Sequence, residues 1–533
     1  MGQGLGPLSM KRRAFLGAAS ALALAGCEAP LPAIDGGFTG IDVARGHALR
    51  DGAWRTAAPV AMRRTRVVIA GGGVAGLAAA RALRLRGLAD FALIELEDSA
   101  GGNSRGGMVG GIACPLGAHY LPVPGDDAHE VQDLLEEFGL RQRVAGRWEY
   151  DERNLCHSPQ ERLFFQGEWH DGLLPIDGVG AATLAQYRRF SQRVAELQRD
   201  TRFVIPTLRA PVTPTLLALD ALNFAAWLDR EGLDDPHLRW YLDYCCRDDY
   251  CAGLAHVSAW AGIHYFASRH GFHAPGDESA ERDAVLTWPE GNGWLTARLA
   301  APLGERLHTG QVVVRIAETR NGVEVDVFDV ASKSLVRWQA EHCIVALPVF
   351  IAARVVENPP ARLTQAAAQV RDAPWLVANV HLRAPLADRP GPAPSWDNVI
   401  YGTRGLGYVD ARHQALDPTP RATVLSWYRP LGPSAYDVGD GRRQLLDRPW
   451  SGWRDDLLAE LSVPHPDIAS LAARVDITRY GHAMAMPAPG LLAALRAPER
   501  VVEGRLSFAH ADWSGYSIFE EAFTRGHLAG AAV

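Results

Sequence analysis

Four things are scarce in this chain of 533 residues, and the first three each close off a class of function. Past the first thirty residues no run approaches the about 18 consecutive apolar residues that a membrane-spanning helix needs. The seven cysteines show no paired C-x-x-C spacing, so no zinc site is legible. There is no basic stripe, which argues against nucleic acid as a partner. Lysine is the fourth scarcity: it occurs only at Lys11 and Lys333, and arginine carries nearly all the positive charge. The 47% hydrophobic and 22% charged content is that of an ordinary globular protein, long enough for two or three domains. Cys245, Cys246 and Cys251 cluster in CCRDDYC. They read as buried small residues near a cleft, with a redox or metal role as the alternative.

What the chain does carry begins with an address. Lys11-Arg12-Arg13 is a basic region, Ala14 to Ala25 is a short apolar run, and Leu24-Ala25-Gly26-Cys27 is a lipobox. The apolar run is too short to span a membrane, so a cleaved signal is expected. Paired arginines before Ala14-Phe15-Leu16 resemble the twin-arginine signal, which exports folded proteins. The alternative is an ordinary secretory signal. The expectation is an exported lipoprotein, anchored through Cys27 at the periplasmic face of a membrane. Cleavage before Cys27 removes three positive charges and no acid, moving the net charge from −7 to −10. Residues 28–61, rich in Pro, Gly and Ala, read as a tether.

Then comes a compact signal. Arg66 to Ala70 is a β-branched apolar run, Gly71-Gly72-Gly73-Val74-Ala75-Gly76 follows at once, and Leu77 to Arg86 has helical spacing. Phe91 to Leu96 is a second apolar run holding Glu95. Strand, glycine turn, helix, strand and acid make a dinucleotide site. Gly71 permits the turn, Gly73 lets backbone N–H groups approach a pyrophosphate, and Gly76 allows close helix packing. Glu95 is placed to accept hydrogen bonds from a ribose diol.

Later segments resemble the flavin amine oxidase and phytoene desaturase superfamily. Gly101-Gly102-Asn103-Ser104-Arg105 is similar to its second glycine motif, and Gly117-Ala118-His119-Tyr120 to the segment that passes near the flavin ring. Leu286 to Ala300, the hairpin runs 311–316 and 323–327, Ile344 to Pro348, and Phe508 to Tyr516 follow in the family's order. The resemblance implies FAD as cofactor. It implies adenine against the backbone of Val313, Asp512 on the ribityl chain, and Gly102, Arg105 and Gly117 in the binding set. It also implies that the protein positions a substrate C–H against the flavin and tunes it.

The family frames its substrate with two aromatic rings. Tyr516 falls on one position, at the flavin and substrate alike; the other lands near His482 and Ala483, so His482 is the expected replacement. His119 is a further candidate polar group beside the ring, with a structural histidine as the alternative. The lysine that relatives use to hold a water against the flavin has no match, nor has their flavin-attaching cysteine. A poor oxidase that passes electrons to a membrane quinone or a redox partner follows as an expectation. No metal is expected at the site.

The expected fold is α/β: a Rossmann-like FAD-binding domain from 62–125, 285–350 and 500–533, with a discontinuous α+β substrate domain from 126–284 and 351–499. Helices are expected over Val131 to Phe138, Thr183 to Arg199 and Leu216 to Leu228. The acids and aromatics of Asp248 to Tyr250, Ser258 to Trp260 and His264 to Phe266 suit a cationic amine. An amine-oxidising flavoenzyme acting on a small molecule is the leading expectation. A desaturase of a lipid-like substrate and a flavin-carrying protein without turnover are the alternatives.

Overall fold

The computed structural model describes residues 32–54, 58–269, 271–276, 284–387, 389–417, 419, 421–436, 439–496 and 502–533. The export signal and Cys27 lie outside the described residues. Among the described residues no helix is long and apolar enough to cross a membrane.

Val67–Ala70 is apolar at every position and fully buried, the pattern of a central parallel strand covered on both faces. It pairs in parallel with Phe91–Ile94 on one side and His342–Val345 on the other. Leu307–His308 and Leu506–Phe508 extend this sheet in parallel, and Val502–Glu503 closes it as an antiparallel edge. The strands are thus gathered from three separated stretches of chain. The helix Val74–Leu85 packs on the C-terminal helix Phe519–Ala531 with no room for side chains between them. A Cβ on Gly526 would stand 2.0 Å from the Ala75 carbonyl oxygen, and one on Gly530 2.5 Å from that of Ala79. This contact fixes the start of the last helix beside the start of the dinucleotide helix.

A second sheet joins Gln311–Thr319, Gly322–Asp329 and Ser334–Ala340 to Ala61–Arg64. The third has eight strands. Its centre is Asp372–Leu382 between Ala472–Ala485 and Val424–Pro430, and its far edge is Glu161–Phe165 with Glu168–Asp171. Helices Ala181–Asp200, Pro236–Tyr250 and Ala259–Ala267 pack in a core around Phe190, Phe224, Trp260 and Phe266.

Two sequence expectations need correction. Residues 28–61 are not simply a tether. Asp35–Thr39 pairs in parallel with Arg474 to Thr478 on the edge of the eight-stranded sheet, and Val43–Arg50 is a helix capped by Asp42. An edge strand offers free N–H and C=O groups to any extended segment that reaches it, which composition alone does not reveal. The expected helix over Leu216 to Leu228 is two helices, Pro214–Asp220 and Phe224–Arg230. Asn223 breaks it by accepting the Ala226 N–H at 2.7 Å as a new N-cap. The block 126–284 supplies Glu161–Phe165 and Glu168–Asp171 to the large sheet beside its helices, in keeping with an α+β substrate domain.

Candidate active site

The sheets meet around a cavity of about 470 Å³. Its first wall is the glycine turn. Gly71 has φ +104°, and a Cβ there would lie 2.3 Å from the Ala346 carbonyl oxygen, so the turn needs glycine. Gly76 lies behind the wall, where a Cβ would stand 1.8 Å from the Gly71 carbonyl oxygen. Gly73 does line the cavity. A Cβ on it would approach only the Gly102 Cα, at 3.8 Å, and would occupy the space the two glycines leave open. Gly73 also begins the helix Val74–Leu85 without a side-chain cap, so the first-turn N–H groups are open to an anion. An uncapped helix start faced by two glycines fits a pyrophosphate.

Glu95 stands beside it, buried. Its carboxylate accepts the Gly72 N–H at 2.7 Å and the Glu97 N–H at 2.8 Å. Burial pushes this carboxyl above the usual range, while those two N–H groups pull it back. Each oxygen retains a lone pair for a ribose hydroxyl. Val313 lines the cavity on a strand whose register shifts between Val313 and Arg315. Arg105 is buried in the wall, with Nη1 donating to the Gly40 carbonyl (3.0 Å), Nη2 to that of Ser99 (3.2 Å) and Nε to that of Gly102 (3.4 Å). Asp512 accepts the Val349 N–H at 3.0 Å and lies 3.1 Å from His510 Nδ1. Burial raises its carboxyl, but His510, the Val349 N–H and His482 together hold it below the ordinary value. These residues together fit FAD.

The Gly117 segment is clamped by two tyrosines that carry no sequence signal. Tyr428 donates to the Gly117 carbonyl at 3.0 Å and Tyr480 to that of Leu116 at 2.8 Å; both rings line the cavity. A Cβ on Gly117 would lie 2.0 Å from the Asn103 carbonyl oxygen. His119 is in the wall between the rings of Tyr428 (4.5 Å) and Tyr120 (4.9 Å), its Nε2 3.4 Å from Asp397. His482 also lines the cavity, stacked on Phe350 at 4.4 Å.

Tyr516 requires correction. It does not line the cavity; Ser517, Ile518 and Phe519 do. Tyr516 is instead in the core, 1% exposed, where its hydroxyl donates to Asp249 at 2.7 Å and accepts from Arg269 at 3.1 Å. The Tyr516 hydroxyl therefore matters for stability. Tyr516→Phe is expected to destabilise the chain by about 1–3 kcal/mol, because a buried carboxylate and guanidinium each lose a partner. Chemical denaturation measures it.

The acids sit on the same side. Asp248, Asp249, Glu520 and Arg269 all line the cavity. Arg269 pairs with Asp249 at 3.2 Å. Among the described residues neither Asp248 nor Glu520 has an ion-pair partner, although Tyr120 donates to Asp248 at 3.4 Å. Burial, with Asp249 nearby, pushes the Asp248 carboxyl up to about 7. Burial likewise pushes Glu520 up to about 7. Trp260, His264 and Phe266, grouped with these acids in the sequence, instead lie in the helical core. Burial keeps the Cys245 and Cys246 thiols protonated, and Cys251 donates to the Pro374 carbonyl. Among the described residues no group of three His, Cys, Asp or Glu could hold a metal.

Comparison with known proteins agrees with this layout. An L-amino acid dehydrogenase of Synechocystis sp. is 23% identical over 341 residues, 60% of this chain and 65% of that protein. Polyamine oxidase 4 of Oryza sativa subsp. japonica is 25% identical over 308 residues, 55% of this chain and 53% of that protein. The chain thus spans less than two thirds of the length of these curated relatives. The fold matches putrescine oxidase with putrescine bound at a TM-score of 0.66 and 19% identity, over 88% of this chain and 99% of that one. Residues 74–533 match the family model of flavin containing amine oxidoreductases, so the chain, from its dinucleotide helix to its C-terminus, belongs to that family.

Proposed function

We propose that this chain oxidises a small amine at the acid-lined wall of its cavity and passes the electrons to an acceptor other than oxygen. The observation that carries the reading is the pair of cavity acids, Asp248 and Glu520, without a cationic partner among the described residues. A buried carboxylate is costly until a cation meets it, so the wall selects for a charged ammonium and against a lipid-like chain.

Asp248 would hold the ammonium, steadied by the Tyr120 hydroxyl. A carboxyl near pH 7 can also take one proton from the ammonium at its Oδ, leaving the neutral amine whose lone pair assists C–H cleavage. Arg269 neutralises Asp249, so that acid shapes the wall without competing for substrate. Tyr428, Trp375 and Ile518 supply the apolar and aromatic surface that excludes water around the carbon chain. FAD bound at the glycine wall supplies the two-electron acceptor for the hydride.

The acceptor reading rests on lysine. Lys333 stands in the tight turn between Gly322–Asp329 and Ser334–Ala340, and among the described residues no lysine lines the cavity. A relative named as a dehydrogenase supports the same reading. Enzyme reduced by amine without air is expected to reoxidise quickly with a soluble quinone and slowly with oxygen. Equal rates would remove the dehydrogenase reading.

The membrane location belongs to this proposal. Export by the twin-arginine route and lipidation of Cys27 would hold the chain at the periplasmic face beside a quinone or redox partner. Arg12→Lys with Arg13→Lys is expected to strand the precursor in the cytoplasm. A mature N-terminus other than acylated Cys27, found by mass spectrometry, would contradict the anchor.

A further inference from the structure

The family match starts at residue 74, yet the cavity wall includes Ile41, Gly46 and Leu49. We infer that residues 35–50 are a further cofactor-binding element, a clasp seated against the adenosine end of FAD that slows its release. The clasp joins both domains. Its strand, Asp35–Thr39, lies on the edge of the eight-stranded sheet, and its helix, Val43–Arg50, lies on the loop after Phe91–Ile94.

The ties of that helix run through the residues around Glu95. Asp42 donates its N–H to both oxygens of Glu97, at 3.1 and 3.3 Å. The Glu97 N–H goes in turn to Glu95. Arg45 donates to the Leu96 carbonyl at 3.0 Å and pairs with Asp98 at 2.8 Å. Arg105 reaches across from the second glycine motif to the Gly40 carbonyl. One short loop, Glu95 to Asp98, therefore presents an acid to the ribose and holds the clasp. Whatever orders Glu95 also orders the seat of the clasp.

Gly46 points to a ligand. Glycine inside a helix costs about 1 kcal/mol relative to alanine. A Cβ at this position would meet nothing within 4 Å, and the residue lines the cavity. No packing within the chain requires a glycine here; an occupant of the cavity would. Leu49, one turn on, is buried in the same hydrophobic core as Val312 and Val314, and its helix contacts the strand that carries Val313. The strand of the clasp seats on Arg474 to Thr478, far from it in sequence, so the clasp ties the start of the chain to the large sheet.

The full-length, FAD-loaded protein tests this. Gly46→Leu adds a good helix former in open space, so the flavin-free chain should be as stable as the parent or more so. If the clasp faces FAD, the same change weakens FAD binding by about 10-fold or more. Asp42→Ala removes the helix cap and the Glu97 tie, and should speed FAD release on dilution, read by flavin fluorescence, by about 10-fold. Arg443→Ala, whose exposed side chain pairs with Asp440 away from the cavity, should leave release unchanged. On the unaltered chain, amide hydrogen exchange over residues 36–50 should be slower with FAD than without it. Parental FAD affinity in Gly46→Leu, parental release in Asp42→Ala, or exchange that ignores FAD would each overturn the clasp.

Discussion

Glu95→Ala is expected to yield a chain that folds less stably and purifies with little FAD. The carboxylate serves two masters in the structure: it accepts the Gly72 and Glu97 N–H groups, and it offers its remaining lone pairs to the cavity. Removing it leaves two buried donors unpaired, at about 1–3 kcal/mol each, and that loss appears as a lower melting temperature even without flavin. The ribose hydroxyls lose their acceptor as well. A loss of about 1–3 kcal/mol there weakens FAD binding about 5- to 150-fold. Titration of the flavin-free protein by fluorescence separates the two effects. Glu95→Gln keeps an acceptor and should recover part of the binding. FAD affinity equal to that of the parent in Glu95→Ala would remove Glu95 from the site.

Asp248→Asn should make the protein more stable at pH 8 and a much poorer amine oxidoreductase. The Asp248 pKa is raised in the folded chain from the ordinary 3.8 to about 7. The folded chain therefore keeps a proton that the unfolded chain gives up. Its contribution to stability is full below pH 3.8 and is lost as pH rises through 7. Asparagine carries no such penalty, so above pH 8 the variant gains up to about 4 kcal/mol, less whatever relaxation of the parent recovers. Catalysis runs the other way. Removing one partner of a buried charge pair costs roughly 2–5 kcal/mol, so flavin reduction at low amine concentration should fall about 30-fold or more. In the parent that rate rises through pH 7 as Asp248 and Glu520 ionise; in the variant only the part due to Glu520 remains. Melting curves and reduction rates at pH 6 and pH 8 check both halves.

The dinucleotide wall was legible because its chemistry is local. Gly71, Gly73, Gly76 and Glu95 lie within twenty-five residues, and each has a reason that holds for the backbone alone. The substrate wall is assembled from residues far apart, such as Tyr120, Asp248, Tyr428 and Glu520. No periodicity says which face of a strand meets a cavity, so Tyr428 and Tyr480 looked like any buried tyrosine. Tyr516 is buried while the three residues after it line the cavity, and nothing in the motif Trp513-Ser514-Gly515-Tyr516 says which of these neighbours faces inward. The strand Asp35–Thr39 is not legible in the sequence because it contains two glycines and gains its strand character only from the edge it joins.

The most direct test of the account is anaerobic stopped-flow mixing of the FAD-loaded protein with a panel of small amines, following flavin absorbance. The account predicts rapid, saturable bleaching by at least one charged amine, faster at pH 8 than at pH 6 and much slower in Asp248→Asn. A flavin that stays oxidised with every amine, or that bleaches equally well in Asp248→Asn, would contradict it.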